Sequence, residues 1–287
     1  MTTHLQLSSN VNNYQTFIHK CSLLYVNFEE VFHYNIFGWD GSTLNPIPFY
    51  KDFISVTIAD VTNVSRKMSI IALADWSPLD KNKNKYASLD GLFASVMRNQ
   101  EINGLMIGGD VGYDLDSNNC LNYERFLVML SRIAKTVPVI MVTGNHEYNT
   151  DDNYKLFQYS FQMYGLDTEL ATHLQIGPLS LVPFDPFEIA LGKKGSKDPC
   201  ISKFLSTIEE AKKTKKFILP TSHYPLACSG TSKNCKSDRL GLKAYWDAMF
   251  DAGVTLYIGA HYHTYQRAYP YLKDNTFKPQ NSNYRIN

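Results

Sequence analysis

Five short polar clusters interrupt this chain, each directly behind an apolar run. They are Ala74-Asp75-Trp76-Ser77, Gly109-Asp110-Val111-Gly112-Tyr113, Gly144-Asn145-His146-Glu147, Ser222-His223-Tyr224-Pro225 and Gly259-Ala260-His261-Tyr262-His263. Between them they offer Asp75, Asp110, Tyr113, Asn145, His146, His223, His261 and His263. Carboxylates, imidazoles and amide oxygens are the donors that hard cations take, and this inventory is large enough for two ions. Two cations held about 3.5–4 Å apart by a bridging carboxylate clamp the attacking and leaving oxygens of an in-line displacement. Taken singly, each residue has a structural use: an aspartate after a strand caps a turn, and a tyrosine packs. Their common position at strand ends is what turns them into a candidate site.

The elements that carry the clusters follow from the hydrophobic pattern. Ile70-Ile71-Ala72-Leu73-Ala74, Leu105-Met106-Ile107 and Val139-Ile140-Met141-Val142 read as buried strands. Leu89, Leu92, Phe93, Val96 and Met97 form a helical stripe between the first two, and Phe126, Leu127, Leu130, Ile133 and Ala134 form another between the second and third. Two consecutive βαβ units predict a parallel sheet with right-handed crossovers. Open sheets of this kind place their sites at the carboxyl ends of the strands. Further on, His173 to Phe184 reads as a hairpin turning at Gly177-Pro178. A helix with Ile201, Phe204, Leu205 and Ile208 precedes the strand Phe217-Ile218-Leu219, and a helix around Trp246 and Met249 precedes the strand Val254 to Ile258. The expectation is an α/β fold of two packed mixed sheets flanked by helices, a four-layer arrangement. Residues 1–64 have no helical stripe and read as a separate β segment before a catalytic domain over 65–287.

In this order, Gly-Asp-x-x-Tyr, Gly-Asn-His-Glu, a lone late histidine and Gly-x-His-x-His resemble the metallophosphoesterase pattern, and Tyr113 narrows the resemblance to the purple acid phosphatases. The similarity covers roughly Ile70 to Pro270. It implies a ferric ion on Asp75, Asp110, Tyr113 and His263, and a divalent ion (Zn, Fe or Mn) on Asp110, Asn145, His223 and His261, with Asp110 bridging. It also implies that Asn145 and His146 bind the substrate phosphate, that His146 protonates the leaving group, and that a metal-bound hydroxide hydrolyses phosphate monoesters in mild acid. The chain departs from the family at Ala74 and Ser77, where glycines are usual. The positions of the extra substrate-binding histidines of plant members fall at Ser232-Lys233. Asp185 and Glu188 receive no role. Ile18 to Ile36 resembles only the last strands of a fibronectin-type sandwich, and the family continues beyond Pro270, so the resemblance predicts truncation at both ends. It further implies a secreted, lysosomal or vacuolar setting. Two other readings stand beside it: a generic calcineurin-like Mn or Zn phosphoesterase, in which Tyr113 only lines the wall, and a non-catalytic interaction protein on the same fold.

The bulk composition narrows the field. With 28 Lys+Arg against 27 Asp+Glu the chain is close to neutral, and no basic stripe suggests nucleic acid. Lys212-Lys213-Thr214-Lys215-Lys216 ends a predicted helix, where cations complement the helix dipole. No apolar run approaches the ~20 residues that span a bilayer. The five cysteines fit no zinc spacing, but Cys228 and Cys235 flank a polar loop that a disulfide could close, and Asn63-Val64-Ser65 is a glycosylation sequon.

Overall fold

A computed structural model of the protein describes residues 30–35, 54–56, 67–76, 102–111, 115–116, 120–135, 137–149, 156–157, 173–186, 201–214, 217–226 and 242–267, with 63, 65 and 113; residues 2–8, 15–21, 37–39, 44–46, 57 and 199–200 are described by backbone alone. The predicted helix over Leu89–Met97, the Cys228–Cys235 loop, Glu188 and Lys233 lie outside the described residues.

Near the start, strands pair two by two, all antiparallel. β1 (Thr2–Ser8) pairs with β2 (Gln15–Cys21), β3 (Val31–Tyr34) with β6 (Ile54–Thr57), and β4 (Phe37–Trp39) with β5 (Leu44–Pro46). The Tyr34 hydroxyl donates to the Lys135 carbonyl at 3.0 Å, which ties this region to the main body.

The first main sheet is parallel throughout, in the order β7 (Ser69–Leu73), β8 (Ile102–Gly108), β9 (Val139–Val142). All four residues of β9 are buried, as expected of a parallel strand covered on both faces. The second sheet joins β10 (Leu174–Ile176) antiparallel to β11 (Leu179–Pro183), which lies parallel to β12 (Phe217–Thr221). Three helices are described in this part of the chain: α1 (Leu121–Ala134), α2 (Pro199–Lys213) and α3 (Lys243–Asp251). Lys212 and Lys213 occupy the last turn of α2, where the predicted dipole contact puts them.

The alternation of side chains along the strands reveals the layers. Val139 and Met141 of β9 belong to a core shared with Phe126, Leu130 and Ile133 of α1. Ile140 between them faces the other way, into a smaller core with Leu181 of β11 and Leu219 of β12. Val182, next to Leu181, turns outward again to Phe204 and Ile208 of α2 and Tyr245 and Met249 of α3. The order is therefore helix, sheet, sheet, helix, as the sequence predicts. Each fully buried aliphatic or aromatic side chain in these cores stabilises the fold by about 1.5–3 kcal/mol.

One predicted strand shrinks. The Val254–Ile258 run forms only a single parallel bridge, between Ile258 and Thr221. The end of α3 uses up the first part of the run: Gly253, at φ 71°, donates to the Phe250 carbonyl and Val254 donates to that of Met249. Leu256 is exposed, and Ile258 alone reaches the sheet, donating to the Pro220 carbonyl at 3.3 Å.

Candidate metal centre

All five clusters follow a strand end or, for the last, the Ile258 bridge. Backbone bonds hold their turns together: Asp75 N–H donates to Gly109 O, Trp76 N–H to Asp110 O, and Ala260 N–H to His223 O at 2.8 Å. Five non-glycine residues among those described have positive φ, and four of them are Asp75 (52°), Asp110 (49°), His261 (76°) and His263 (29°). Left-handed backbone costs an ordinary residue about 1–2 kcal/mol, so packing and hydrogen bonds hold these four in place against a local preference.

The turns bring the candidate donors into two groups. The ligand atoms of Asp110, His223 and His261 all lie within 4.8 Å of one another, and so do those of Asp75, Asp110 and His263. Asp110 belongs to both. Asn145 Oδ1 joins the first group, 3.1 Å from His223 Nε2. Tyr113 joins the second, its phenol oxygen 2.9 Å from His263 Nε2, which lies 3.3 Å from Asp75 Oδ1. His146 stands beside the groups: its Nε2 is 3.9 Å from Asp110 Oδ2 and its ring packs on Tyr113.

The donor chemistry fits cations. His223 Nδ1 lies 3.0 Å from the Gly108 carbonyl, which only accepts, so Nδ1 carries a proton. In neutral His223 the lone pair of Nε2 then faces two acceptors, Asn145 Oδ1 at 3.1 Å and Asp110 Oδ2 at 3.4 Å, with His261 Nδ1 also 3.1 Å away. A cation among these atoms would satisfy both oxygens and the Nε2 lone pair together. In the second group, Asp75 Oδ2 accepts the His261 N–H at 2.8 Å, but buried Oδ1 accepts no hydrogen bond. A buried acceptor left bare is costly unless a cation or water takes it.

Charges in the cleft are strongly coupled. Burial pushes the Asp110 carboxyl up, but the hydrogen bond and charge of His223, with the His146 N–H, bring it below its ordinary value. His223 responds in reverse: burial disfavours its charged form, yet Asp110 raises its pKa. Without a cation, a proton is drawn into the position that a metal would neutralise. Asp75 is raised by burial first and by the Asp110 charge as well. Burial, with the charges of Asp110 and Asp75, pushes the Tyr113 phenol well above its ordinary value, so a tyrosinate here requires a cation. Burial, together with positive charge on His223, lowers His261 to about 4, which leaves this imidazole neutral and ready to coordinate in mild acid.

Behind the donors lies a buried support that the sequence motifs do not reveal. Glu147, fully buried, accepts the backbone N–H groups of Asp110 and Val111, each at 2.9 Å, and of Gly144 at 2.6 Å. It thereby pins the β8 turn to the β9 turn. Burial foremost, then the Asp110 charge, raises its pKa to about 7. Asp185, assigned no role from sequence, is buried just beyond β11 and accepts hydrogen bonds from the Thr143 and Tyr148 hydroxyls, bracing the same turn against the second sheet. Gly144 is required by close approach: a Cβ there would lie 2.5 Å from Asp110 N.

Comparison with known proteins places the chain in a family. The family model for calcineurin-like phosphoesterases matches residues 68–265. Human acid phosphatase type 7 (Homo sapiens) is 26% identical over 176 residues, 56% of this chain and 40% of the relative. The zebrafish protein of that name (Danio rerio) is 25% identical over 186 residues, 56% of this chain and 41% of its own length. The chain thus spans about 40% of the length of these curated relatives. The purple acid phosphatase PPD1 from yellow lupin (Lupinus luteus) seeds shares the fold with a TM-score of 0.73 at 13% identity, over 96% of this chain and 53% of the lupin chain. A dimetal phosphatase from Danio rerio aligns with a TM-score of 0.50 at 14% identity, over 68% of this chain and 82% of its own. With all five clusters inside the matched region, the chain belongs to the calcineurin-like phosphoesterase family.

Proposed function

We propose that the protein is an acid phosphatase that hydrolyses phosphate monoesters at a binuclear centre of one ferric and one divalent ion (Zn, Fe or Mn). The observation that carries this reading is the shared carboxylate: Asp110 belongs to both donor groups, one completed by a phenol and the other by an amide oxygen. Asp75, Asp110, Tyr113 and His263 would hold the ferric ion, and Asp110, Asn145, His223 and His261 the divalent one. When bound, such a pair supplies Lewis acidity toward phosphate oxygens and makes water acidic enough to serve as nucleophile below neutral pH.

The chain's own residues do the rest. Asp110, held by the backbone N–H of His146 on Oδ1, keeps a fixed orientation between the two groups. Tyr113 contributes a hard anionic donor once its proton leaves. Asn145 contributes an oxygen without charge, which leaves the divalent site more attractive to phosphate. His146, outside both groups, contacts the phosphate and donates to the departing ester oxygen. We further read residues 1–64 as a fibronectin-type β segment before a catalytic domain over 65–287. A secreted, lysosomal or vacuolar setting suits an exposed Asn63 and Ser65 in the sequon.

The test is elemental analysis and a visible spectrum of purified protein, with hydrolysis of an aryl phosphate in mild acid. Iron together with a second metal, a visible band and turnover support the reading. A colourless, iron-free preparation that still turns over would sink the ferric assignment. Failure to cleave any phosphomonoester with both metals supplied would sink the activity itself.

A further inference from the structure

We propose that Asn149 is a positioning residue that makes His146 an Nε2–H donor toward bound phosphate; the catalytic half of this statement rests on the phosphatase reading above. Three contacts orient His146. Its backbone N–H donates to Asp110 Oδ1 at 2.9 Å. Its ring packs against Tyr113, with centroids 4.3 Å apart and planes at 59°. Its Nδ1 lies 2.9 Å from the side-chain nitrogen of Asn149, and Asn149 N–H closes the turn on the His146 carbonyl at 3.4 Å.

A neutral imidazole has one N–H and one bare nitrogen, and the partner of one nitrogen decides the state of the other. The amide NH2 of Asn149 only donates, so the nitrogen it meets accepts, and the ring proton resides on Nε2. Nε2 is also the nitrogen turned toward the donor groups, 3.9 Å from Asp110 Oδ2. In that state it presents an N–H to any oxyanion lying beside Asp110. In the opposite tautomer it would present a lone pair to phosphate oxygens, which repel it. Asn149 is exposed, so its replacement disturbs no core packing.

Ring 15N NMR at about pH 8, where an ordinary histidine is neutral, reads the tautomer directly. His146→Gln identifies the signal. The wild type should show His146 as the Nε2–H form and Asn149→Ala a mixture. In Asn149→Asp, a carboxylate that only accepts should pull the proton to Nδ1. In parallel, the affinity of the holoenzyme for inorganic phosphate at about pH 8 should fall about 2–10-fold in Asn149→Ala, the cost of one neutral hydrogen bond. Asn149→Asp should lose at least as much, at unchanged metal content. A wild-type tautomer in Asn149→Asp, or unchanged phosphate affinity in both variants, would overturn the proposal. If the wild type cleaves no phosphomonoester, the phosphatase reading falls, and the NMR signal still decides separately whether Asn149 sets the ring.

Discussion

Tyr113 and His263, 150 residues apart in the chain, meet with the phenol oxygen 2.9 Å from the imidazole Nε2. The contact joins the turn after β8 to the turn after the Ile258 bridge. It sets a phenol among donors that would otherwise suit any of several divalent ions.

Replacing Tyr113 by Phe therefore separates two members of one family. If Tyr113 ligates iron, Tyr113→Phe loses the visible absorption band while Asp75, Asp110 and His263 still hold metal. The spectrum and the metal content are measured on the same sample. Retention of the band would make Tyr113 a wall residue. The melting temperature should move little, within about 0.5 kcal/mol of stability, because the lost contact is exposed.

Glu147→Gln tests the buried clamp. A carboxylate accepts from three N–H groups, but the amide nitrogen of a glutamine turns a donor toward one of them. We expect a loss of about 1–3 kcal/mol in denaturant titration of the metal-free protein. Metal affinity should fall as well, because the Asp110 turn is no longer pinned.

Gly144→Ala places a methyl group against Asp110 rather than against the core. Overpacking of this kind costs about 1–3 kcal/mol. The specific expectation is weaker uptake of both ions, since Asp110 serves both groups. Calorimetric metal titration that matches the wild type would show that the turn yields without moving the carboxylate.

The pH response of the metal-free protein has a defined sign at His261. Its folded value of about 4 lies below the ordinary 6.5, so between these values the unfolded chain binds a proton that the folded chain refuses. The contribution of His261 to stability is complete above about 6.5 and declines as pH falls toward about 4. His261→Asn removes that penalty. With chelator present, the variant's melting temperature should rise relative to wild type between about pH 7 and about pH 4.5. A difference that stays constant would mean that His261 is not held neutral by burial.

Much of the candidate site is legible in the sequence because parallel strands confine it. Once β7, β8 and β9 are read from Ile70, Leu105 and Val139, the residues after their ends have one cleft to enter, and Asp75, Asp110 and Asn145 follow. Glu147, Asn149 and Asp185 were not legible as supports. Their partners are backbone N–H groups, a ring nitrogen and hydroxyls placed by folding, which leave no periodic trace. The Val254–Ile258 run misled for a related reason. Its apolar residues suit a strand, but the left-handed Gly253 and the end of α3 use them first.

The donors are divided between the two sheets: Asp75, Asp110, Tyr113 and Asn145 stand on the turns of the first, and His223, His261 and His263 on those of the second. A cation bound to Asp110 and His223 would therefore act as a rivet through the layers, above the small core of Ile140, Leu181 and Leu219. Neither half of the chain holds a complete donor set alone. Metal capture would then report that the halves have docked, and a chelator would loosen the seam between the sheets before it disturbed either helical face.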